Sequence, residues 1–298
     1  MVLVAGATGV LGAEICRRLR QRGQEVRALV RESSDQKKID ALKVLGCSIV
    51  EGDLKDRASL DAACRGADIV MSTVSAITTA KPGDSFDATD AQGTINLIEA
   101  AKRAGVRQFV YVSFQTEGMP DAPLVRGKRA AEQHLMSSGL EYTILQPSLF
   151  MESWLGPMLF ADTKAATAKV YGNRDVRFRY VSVYDVAEVA VQSVNNPAVR
   201  NAVVPFGGPE ALTQREVVRL FEQGFGRPFT VTEIPEAALE GQFGTAEDPW
   251  SASFSGLMLG ICRGGAAGDE LRRDCFDVRP TSVKDYVERL RSASDSSS

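Results

Sequence analysis

Six short apolar segments, each followed by a helical pattern, dominate the first 150 residues of the chain. The first helical pattern places Leu11, Ile15 and Leu19 on one face, and Gly23 ends it. Strands that alternate with helices form right-handed crossovers, which build a mostly parallel sheet with helices on both faces. The sequence therefore predicts an α/β fold with a doubly wound parallel sheet, whose strands lie at Val2–Ala5, Val26–Val30, Cys47–Val50, Ile69–Met71, Phe109–Val112 and Tyr142–Leu145.

The rest of the chain is less regular and predicts a smaller C-terminal region at 151–291, partly interleaved with the sheet of residues 1–150. Strands are predicted at Lys169–Tyr171 and Arg179–Val183. The glycine-rich stretch Gly241–Gly268 is typical of a lid rather than of a core. The polar residues 292–298 are expected to form a disordered tail.

The charged residues are nearly balanced, with 35 Lys and Arg against 38 Asp and Glu, a net charge of −3 in 298 residues. That balance argues against a nucleic-acid partner, and no apolar run approaches the roughly 18 residues that a membrane span needs. The first residues do not resemble a secretory signal, so we expect a cytoplasmic protein that binds neither nucleic acid nor membrane. A single histidine and five cysteines without a C-x-x-C pair predict no metal site and no disulfide framework.

The sharpest motif is a glycine-rich turn that follows the first strand and opens the first helix. In that context three glycines indicate a dinucleotide site. The first glycine permits the tight turn, the second lets the backbone approach a diphosphate, and the third lets the helix pack closely on the strand. An ordinary glycine-rich turn is the alternative. We predict cofactor contacts from the turn and the helix N-terminus, at Gly6, Thr8, Gly9, Val10, Leu11 and Gly12.

The end of the second strand distinguishes NADP from NAD. A carboxylate there binds the ribose 2′-hydroxyl of NAD, whereas an arginine accepts the 2′-phosphate of NADP. Arg31 comes first and Glu32 second, so the sequence favours NADP(H) over NAD(H), with Glu32 as the competing indication. The carboxyl ends of the third and fourth strands border the same crevice, and we predict further cofactor contacts at Asp53, Leu54, Thr73, Val74 and Ser75.

Together these segments resemble the NmrA-like group of atypical short-chain dehydrogenases/reductases over nearly the whole chain. The resemblance rests on Gly-Ala-Thr-Gly-x-x-Gly (6–12), Leu-Val-Arg (29–31), Glu-Gly-Asp-Leu (51–54), Asn-Leu-Ile-Glu-Ala-Ala (96–101), Phe-Val-Tyr-Val-Ser (109–113) and Tyr-Thr-Ile-Leu-Gln-Pro (142–147). It implies a Rossmann fold that binds NAD(P). Similar proteins include isoflavone-reductase-like enzymes, quinone and dye reductases, and NADP-sensing regulators, so the resemblance does not select a substrate.

The catalytic residues implied by this resemblance are incomplete. Ordinary members of the superfamily use Ser, Tyr and Lys, with Tyr and Lys four residues apart on one helix. Lys128 matches the lysine and Ser113 the serine, but Leu124 stands in the place of the tyrosine. We expect Lys128 to contact the nicotinamide ribose or to polarise a substrate oxygen, with a surface lysine as the alternative. Ser113 is either catalytic or caps the end of its strand.

Three functions are compatible with the missing tyrosine. The one we favour is transfer of hydride from NADPH to an apolar, aromatic or conjugated substrate of the quinone, enone or quinone-methide type, because reduction of such a substrate leaves a delocalised anion. The second is an NADP(H)-binding redox sensor that acts through a protein partner. The third is a structural cofactor or a non-redox reaction.

The expected partner is a small apolar substrate, because the segments that follow the fifth and sixth strands are rich in aromatic and apolar side chains. In resembling proteins the loop after the sixth strand lies near the nicotinamide, which assigns Pro147 and Phe150 to the cofactor. The substrate residues are then Phe114, Gln115, Met151 and Trp154, with ordinary core packing as the alternative for Met151. A homodimer is compatible with the sequence.

Overall fold

The computed structural model describes residues 1–77, 84–172 and 175–295. The chain divides into two units, and each is built from segments that are separated in sequence. Unit 1 comprises Met1–Ser113, Pro123–Gln146 and Val186–Val204, and unit 2 comprises Phe114–Ala122, Pro147–Asp185 and Pro205–Ser298. The segments of the two units therefore alternate along the chain, and residues 186–204 of the predicted C-terminal region belong to unit 1.

Unit 1 contains the predicted sheet. Its elements in chain order are β1 Val2–Ala5, α1 Val10–Gln21, β2 Val26–Val30, α2 Gln36–Val44, β3 Ser48–Glu51, α3 Arg57–Cys64, β4 Ile69–Ser72, a π-helix Phe86–Ala91, α4 Gln92–Arg103, β5 Gln108–Val112, α5 Pro123–Ser137 and β6 Glu141–Pro147. Within the described residues the sheet has seven strands, and the last of them, β10, lies beside β6. The elements from β6 to β10 are α6 Met151–Trp154, β7 Ala161–Asp162, β8 Thr167–Tyr171, β9 Arg177–Phe178, α7 Val183–Gln192, a 3₁₀ turn Pro197–Val199 and β10 Ala202–Phe206.

The strand order confirms the doubly wound parallel sheet. It runs β10-β6-β5-β4-β1-β2-β3, and β1 pairs in parallel with both β2 and β4. The chain therefore winds outward in one direction from β1 to β3 and in the other from β4 to β6. Ligands of such sheets bind at the carboxyl ends of the strands where the direction reverses. Here that point lies between β1 and β4.

The local sequence accounts for the elements of unit 1. Helix α1 buries the predicted face of Leu11, Ile15 and Leu19, and Gly23 follows it with φ at +74°. Asp35 and Asp56 cap α2 and α3 through side-chain bonds to the amides of Lys37 and Ala58. The core of the unit packs apolar side chains of the strands against those of the helices, among them Leu3, Val70, Phe109, Ile144, Leu60, Leu97 and Leu135.

Unit 2 contains the remaining elements, which the sequence predicted less well. Besides α6 and β7 to β9, they are β11 Leu212–Thr213, α8 Gln214–Phe225, β12 Thr230–Ile234, α9 Glu236–Gly244, α10 Pro249–Cys262 and α11 Val283–Asp295. The strand predicted at Lys169–Tyr171 is present in β8, which pairs with β7 and β12. No helix among the described residues is long and apolar enough to cross a membrane.

The strand predicted at Arg179–Val183 is wrong. The two residues of β9 before it pair with β11, and Val181 forms a single bridge with Phe150, whereas Val183 begins α7. The side chain of Glu152 explains the change, because its oxygens accept the amide of Val183 at 2.9 Å and the hydroxyl of Ser182 at 2.7 Å. A carboxylate that accepts the first amides of a helix stabilises that end, so the apolar segment turns into a helix there.

The lid predicted at Gly241–Gly268 is also wrong, because much of this stretch forms α10. Asp248 caps the helix, and every residue from Ser255 to Cys262 is buried. Its glycines permit close packing rather than flexibility. A Cβ on Gly260 would lie 2.2 Å from Sδ of Met119, and one on Gly256 would lie 3.0 Å from the Cβ of Ala122. The helix therefore packs where larger side chains would not fit.

The predicted tail at 292–298 begins inside a helix. Helix α11 extends to Asp295, and residues 296–298 lie outside the described residues. Ser282 starts the helix, because its side chain accepts the amide of Asp285 while the carboxylate of Asp285 accepts the amide of Ser282. Val283, Tyr286 and Val287 are buried and anchor its first turns.

Candidate functional site

The glycine turn between β1 and α1 has the geometry that the dinucleotide motif requires. Gly6 has a φ of +83°, and a Cβ there would lie 2.5 Å from Oγ1 of Thr73. A Cβ on Gly12 would lie 2.1 Å from the carbonyl oxygen of Gly6. Both glycines are thus required by the protein itself, the first for its backbone conformation and the second for the approach of α1 to the turn.

Gly9 differs from these two glycines in degree, because a side chain there would make a tight contact with the backbone rather than overlap with it. The nearest atom to a Cβ at Gly9 is the carbonyl oxygen of Gly6 at 3.3 Å, and the residue is exposed. Gly9 is the N-cap of α1, and the first turn of that helix has no acidic residue. Val10 is 67% exposed, so the first amides of α1 are accessible to a ligand. An exposed helix start without an acidic residue fits a phosphate group.

Arg31 follows β2, as predicted, but an acidic residue that the sequence analysis missed already contacts it. Nη1 of Arg31 donates to Oδ2 of Asp84 at 2.7 Å, and Nζ of Lys55 donates to the other oxygen at 2.7 Å. The Asp84 side chain is 2% exposed. Burial opposes its ionisation, but the two cations hold the pKa of Asp84 below its ordinary value, so it is a carboxylate. Glu32, the competing residue, is exposed.

The other predicted cofactor residues of unit 1 lie at the carboxyl ends of β3 and β4. The carboxylate of Asp53 accepts the amide of Lys55 at 2.8 Å, and its Oδ1 lies 3.2 Å from Nζ of that lysine. The carbonyl oxygen of Leu54 accepts Nδ2 of Asn96 at 3.0 Å. Residues 73–75 directly follow β4, the strand beside β1. The segment after β4 therefore borders the reversal point, whereas the segment after β3 lies at the same end of the strands but at the edge of the sheet.

Lys128 is buried, which excludes the alternative of a surface lysine. It lies in α5 with 4% of its surface exposed. Its Nζ donates to the carbonyl oxygen of Val74 at 2.9 Å and pairs with Oδ1 of Asp90 at 3.1 Å. The ring centroid of Tyr111 lies 5.2 Å from the same Nζ. The carboxylate of Asp90 is fully buried, and its Oδ2 accepts the amide of Ala76 at 2.9 Å.

The surroundings of Lys128 keep it protonated. Burial alone would lower the pKa of this lysine, but the neighbouring Tyr111 and Asp90 raise it above its ordinary value. Lys128 is thus a fixed positive charge, which donates to Val74, pairs with Asp90 and lies beside Tyr111.

Two hydroxyl groups on β5 have no hydrogen-bond partner among the described residues. They are Oη of Tyr111 and Oγ of Ser113, and both residues are buried. Residues two apart on a strand face the same side of the sheet, so the two side chains share a face. Buried hydroxyls without partners are uncommon, and Ser113 at the strand end is thus free to contact a ligand. Burial raises the pKa of Tyr111, so its phenol stays protonated.

The sequence analysis missed Asp90 and Tyr111, although one signal for Asp90 was present. Gly127 lies inside helix α5, directly before the lysine, and a Cβ there would lie 3.3 Å from the Cβ of Asp90 and 3.2 Å from the carbonyl oxygen of Phe86. The glycine lets the π-helix Phe86–Ala91 approach α5, which brings the carboxylate to the ammonium. A glycine inside a helical pattern indicates such a close approach.

The predicted substrate residues, together with Pro147 and Phe150, lie in unit 2. The side chain of Gln115 is fixed, since its Nε2 donates to Asp269 at 3.1 Å and its Oε1 accepts the amide of Gly268 at 2.9 Å. Met151 is fully buried, which favours the core alternative for that residue. Pro147 is buried and Phe114 and Phe150 are half-buried. Trp154 packs on an apolar cluster of Leu239, Met258, Leu259 and Cys262.

Comparison with known proteins identifies the family. The profile of the NmrA-like family matches residues 1–249. The chain belongs to the NmrA-like family. This confirms the resemblance that the motifs of residues 6–12 and 109–113 indicated, and it extends through β12 and α9 into unit 2.

The NmrA-like relatives differ in their described roles. An NAD(P)H azoreductase of Xenophilus azovorans is 32% identical over 78% of this chain and 77% of its own length. A photosystem II assembly factor, Ycf39 of Guillardia theta, is 31% identical over 78% of this chain and 73% of its own length. The match to a longer chloroplast relative spans only 59% of that protein.

A solved structure shares the fold over the whole chain. An NADPH-dependent quinone oxidoreductase of Escherichia coli, crystallised with NADPH, superposes with a TM-score of 0.79 at 22% identity and covers 98% of this chain and 100% of its own. At that identity the likeness shows a common fold. It supports the parallel sheet and its strand order independently of the motifs.

Proposed function

We propose that this NmrA-like protein is an NADPH-dependent reductase that transfers hydride to an apolar substrate with a conjugated system, such as a quinone, an enone or a quinone methide. The observation that carries the proposal is the glycine turn, where Gly9 and Val10 are exposed at the start of α1 and the first turn of that helix has no acidic residue. A phosphate group that approaches the exposed start of α1 fits this arrangement. The azoreductase and the quinone oxidoreductase among the relatives support the same class of reaction.

Three groups of unit 1 bind the cofactor in this proposal. The first amides of α1 donate to the diphosphate, and the guanidinium of Arg31 contacts the 2′-phosphate. Asp53 and the backbone after it border the adenine. The bound cofactor supplies the hydride. The residues of this chain hold its phosphates and place its nicotinamide at the carboxyl ends of β4 and β5, where Ser113 and Lys128 lie.

The charge state of Lys128 limits which substrates fit. Because its pKa is raised, the ammonium stabilises negative charge but is a poor proton donor near neutral pH. No tyrosine stands at position 124 to supply a proton. The protein is therefore suited to a substrate whose reduction leaves a delocalised anion, which solvent protonates later. The positive charge of Lys128 and the hydroxyl of Ser113 are the groups that stabilise the developing oxyanion.

The apolar side chains of unit 2 support an apolar substrate. Trp154 and Phe243 pack on the same cluster and are half-buried, so part of each ring faces outward. Phe114 and Phe150 are half-buried as well. Aromatic rings of this kind contact planar substrates without requiring charge. We therefore expect ring-bearing substrates to be reduced and small charged acids to be inert.

A second candidate function is an NADP(H)-binding regulator that acts through a protein partner. The observation that favours it is the engagement of Lys128, whose ammonium is already bound to Asp90 and Val74. A lysine held in this way contributes to structure whether or not the protein is a catalyst. The relatives described as photosystem II assembly factors are consistent with a role of this type.

Fluorescence titration with NADPH, followed by NADPH oxidation assays, tests the proposal. The acceptors are quinones, enones, azo dyes and triarylmethane dyes, with small charged acids as negative controls. Gly9→Ala should weaken NADPH binding, since its Cβ occupies the approach to the helix start. Gly241→Ala is the matched control, because a Cβ there meets nothing within 4 Å.

Binding with oxidation of a ring-bearing acceptor supports the reductase. Binding without oxidation across the panel favours the regulator. The absence of NADPH binding, or equal binding by the Gly9→Ala variant, contradicts the cofactor site.

A further inference from the structure

Four charged side chains of unit 1 form a chain of contacts at the carboxyl ends of β2 and β3. Arg31 contacts Asp84, Asp84 contacts Lys55, and Lys55 contacts Asp53, at 2.7, 2.7 and 3.2 Å between their charged atoms. The Arg31 side chain is 29% exposed, whereas that of Asp84 is 2% exposed. Asp84 therefore lies beneath the arginine rather than beside it in solvent.

The charges of these four side chains cancel. Two cations and two anions leave this group of four side chains, which includes the arginine expected to contact the 2′-phosphate, with no net charge. A phosphate monoester carries close to two negative charges at neutral pH, and its binding depends on an excess of positive charge. Asp84 removes that excess. Because it is buried, water does not screen its charge as it would at the surface.

We propose that Asp84 is a specificity-determining residue, which competes with the cofactor's 2′-phosphate for Arg31 and so reduces the preference for NADPH over NADH. The inference rests on the proposed cofactor site and concerns the strength of its selectivity. NADPH and NADH differ only in the 2′-phosphate, so the ratio of their dissociation constants measures the interaction of the protein with that phosphate. Wild-type protein accordingly binds both nucleotides, with NADPH favoured by a modest ratio.

The variant Asp84→Asn tests this directly. The amide keeps the shape of the side chain and removes its charge, so Arg31 and Lys55 retain an excess of positive charge. Arg31 can then donate to the 2′-phosphate a charge-assisted hydrogen bond that it now makes with Asp84. Such a bond corresponds to a gain of about tenfold or more in NADPH affinity. NADH affinity should stay near its wild-type value. The ratio of the two dissociation constants should therefore rise about tenfold.

Four further variants separate competition from other effects. Asp84→Glu keeps the charge and should keep the wild-type ratio. Arg31→Ala removes the contested cation, and in that background Asp84→Asn should change the ratio little. Asp61→Asn is the matched control, since Asp61 pairs with Arg103 on an exposed part of unit 1. NADH binding by each variant verifies that its site is folded.

A ratio that does not rise in Asp84→Asn contradicts competition between Asp84 and the phosphate. If Asp84 instead orients Arg31 toward the phosphate, Asp84→Asn lowers the ratio, and a lower or unchanged ratio overturns the proposal. If wild-type protein binds neither nucleotide, the proposed function fails, and this inference fails with it. If wild-type protein binds both and the ratio in Asp84→Asn stays constant, the inference fails alone.

Discussion

The buried pair of Lys128 and Asp90 gives the sharpest prediction about stability. The two side chains are 5% and 0% exposed, and their charged atoms lie 3.1 Å apart. Lys128→Met keeps most of the side-chain volume but leaves the carboxylate without its counter-ion. Removal of one partner from a buried pair typically costs about 3–5 kcal/mol, because the remaining charge is uncompensated. Asp90→Asn should cost a similar amount, since it leaves the ammonium with the carbonyl of Val74.

The double variant Lys128→Met with Asp90→Asn removes both charges at once. It should therefore be more stable than either single variant, although the single costs, if independent, would add to about 6–10 kcal/mol. Urea unfolding of the four proteins measures the free energies of unfolding. The exposed pair of Arg103 and Asp61, whose side chains are 50% and 45% exposed, is the control, and its loss should cost less than about 1 kcal/mol. Additive costs in the double variant would refute the account of this pair.

Three further predictions concern the same unit. Lys128→Ala should reduce turnover far more than NADPH affinity, as steady-state kinetics and fluorescence titration would show, and unchanged turnover would remove this lysine from the mechanism. The pKa of Lys128 is raised in the folded state, so its contribution to stability is complete below the pKa of an unfolded lysine, about 10.4. That contribution is lost as the pH rises through the pKa of the folded state. Urea midpoints measured upward from about pH 9 should therefore fall more steeply in wild-type protein than in Lys128→Met. Gly12→Ala should lower the free energy of unfolding by at least ~1–3 kcal/mol in thermal or urea melts, because its Cβ would lie 2.1 Å from the backbone of Gly6, and a melt equal to that of Gly241→Ala would contradict the required contact.

The sheet of unit 1 was predictable because its signals are local. Each strand is a short apolar run, and glycines such as Gly23 and Gly105 end the helices with positive φ. Unit 2 was not predictable to the same degree. Gly256 and Gly260 show why, because they permit α10 to pack closely against residues 119–122. Nothing in the local sequence distinguishes glycines that permit close packing from glycines of a flexible loop.

Some residues of the candidate site were likewise predictable from local sequence, and others were not. The glycine turn and Arg31 follow directly from motif and position, because the strand before each of them fixes where it lies. Asp84 and Asp90 contact Arg31 and Lys128 only through the tertiary fold; Asp84 lies 53 residues from its arginine. The two cations were therefore predictable from the sequence, whereas the carboxylates that contact them were not.

The claim that the start of α1 binds the cofactor's diphosphate is tested most directly by backbone amide shifts. We would label the 32.2 kDa protein with ¹⁵N and ²H and titrate it with NADPH. The account predicts large shifts for the amides of residues 9–12, with smaller shifts after β2 and β3. Shifts confined to other parts of the chain, with residues 9–12 unperturbed at saturating NADPH, would contradict it.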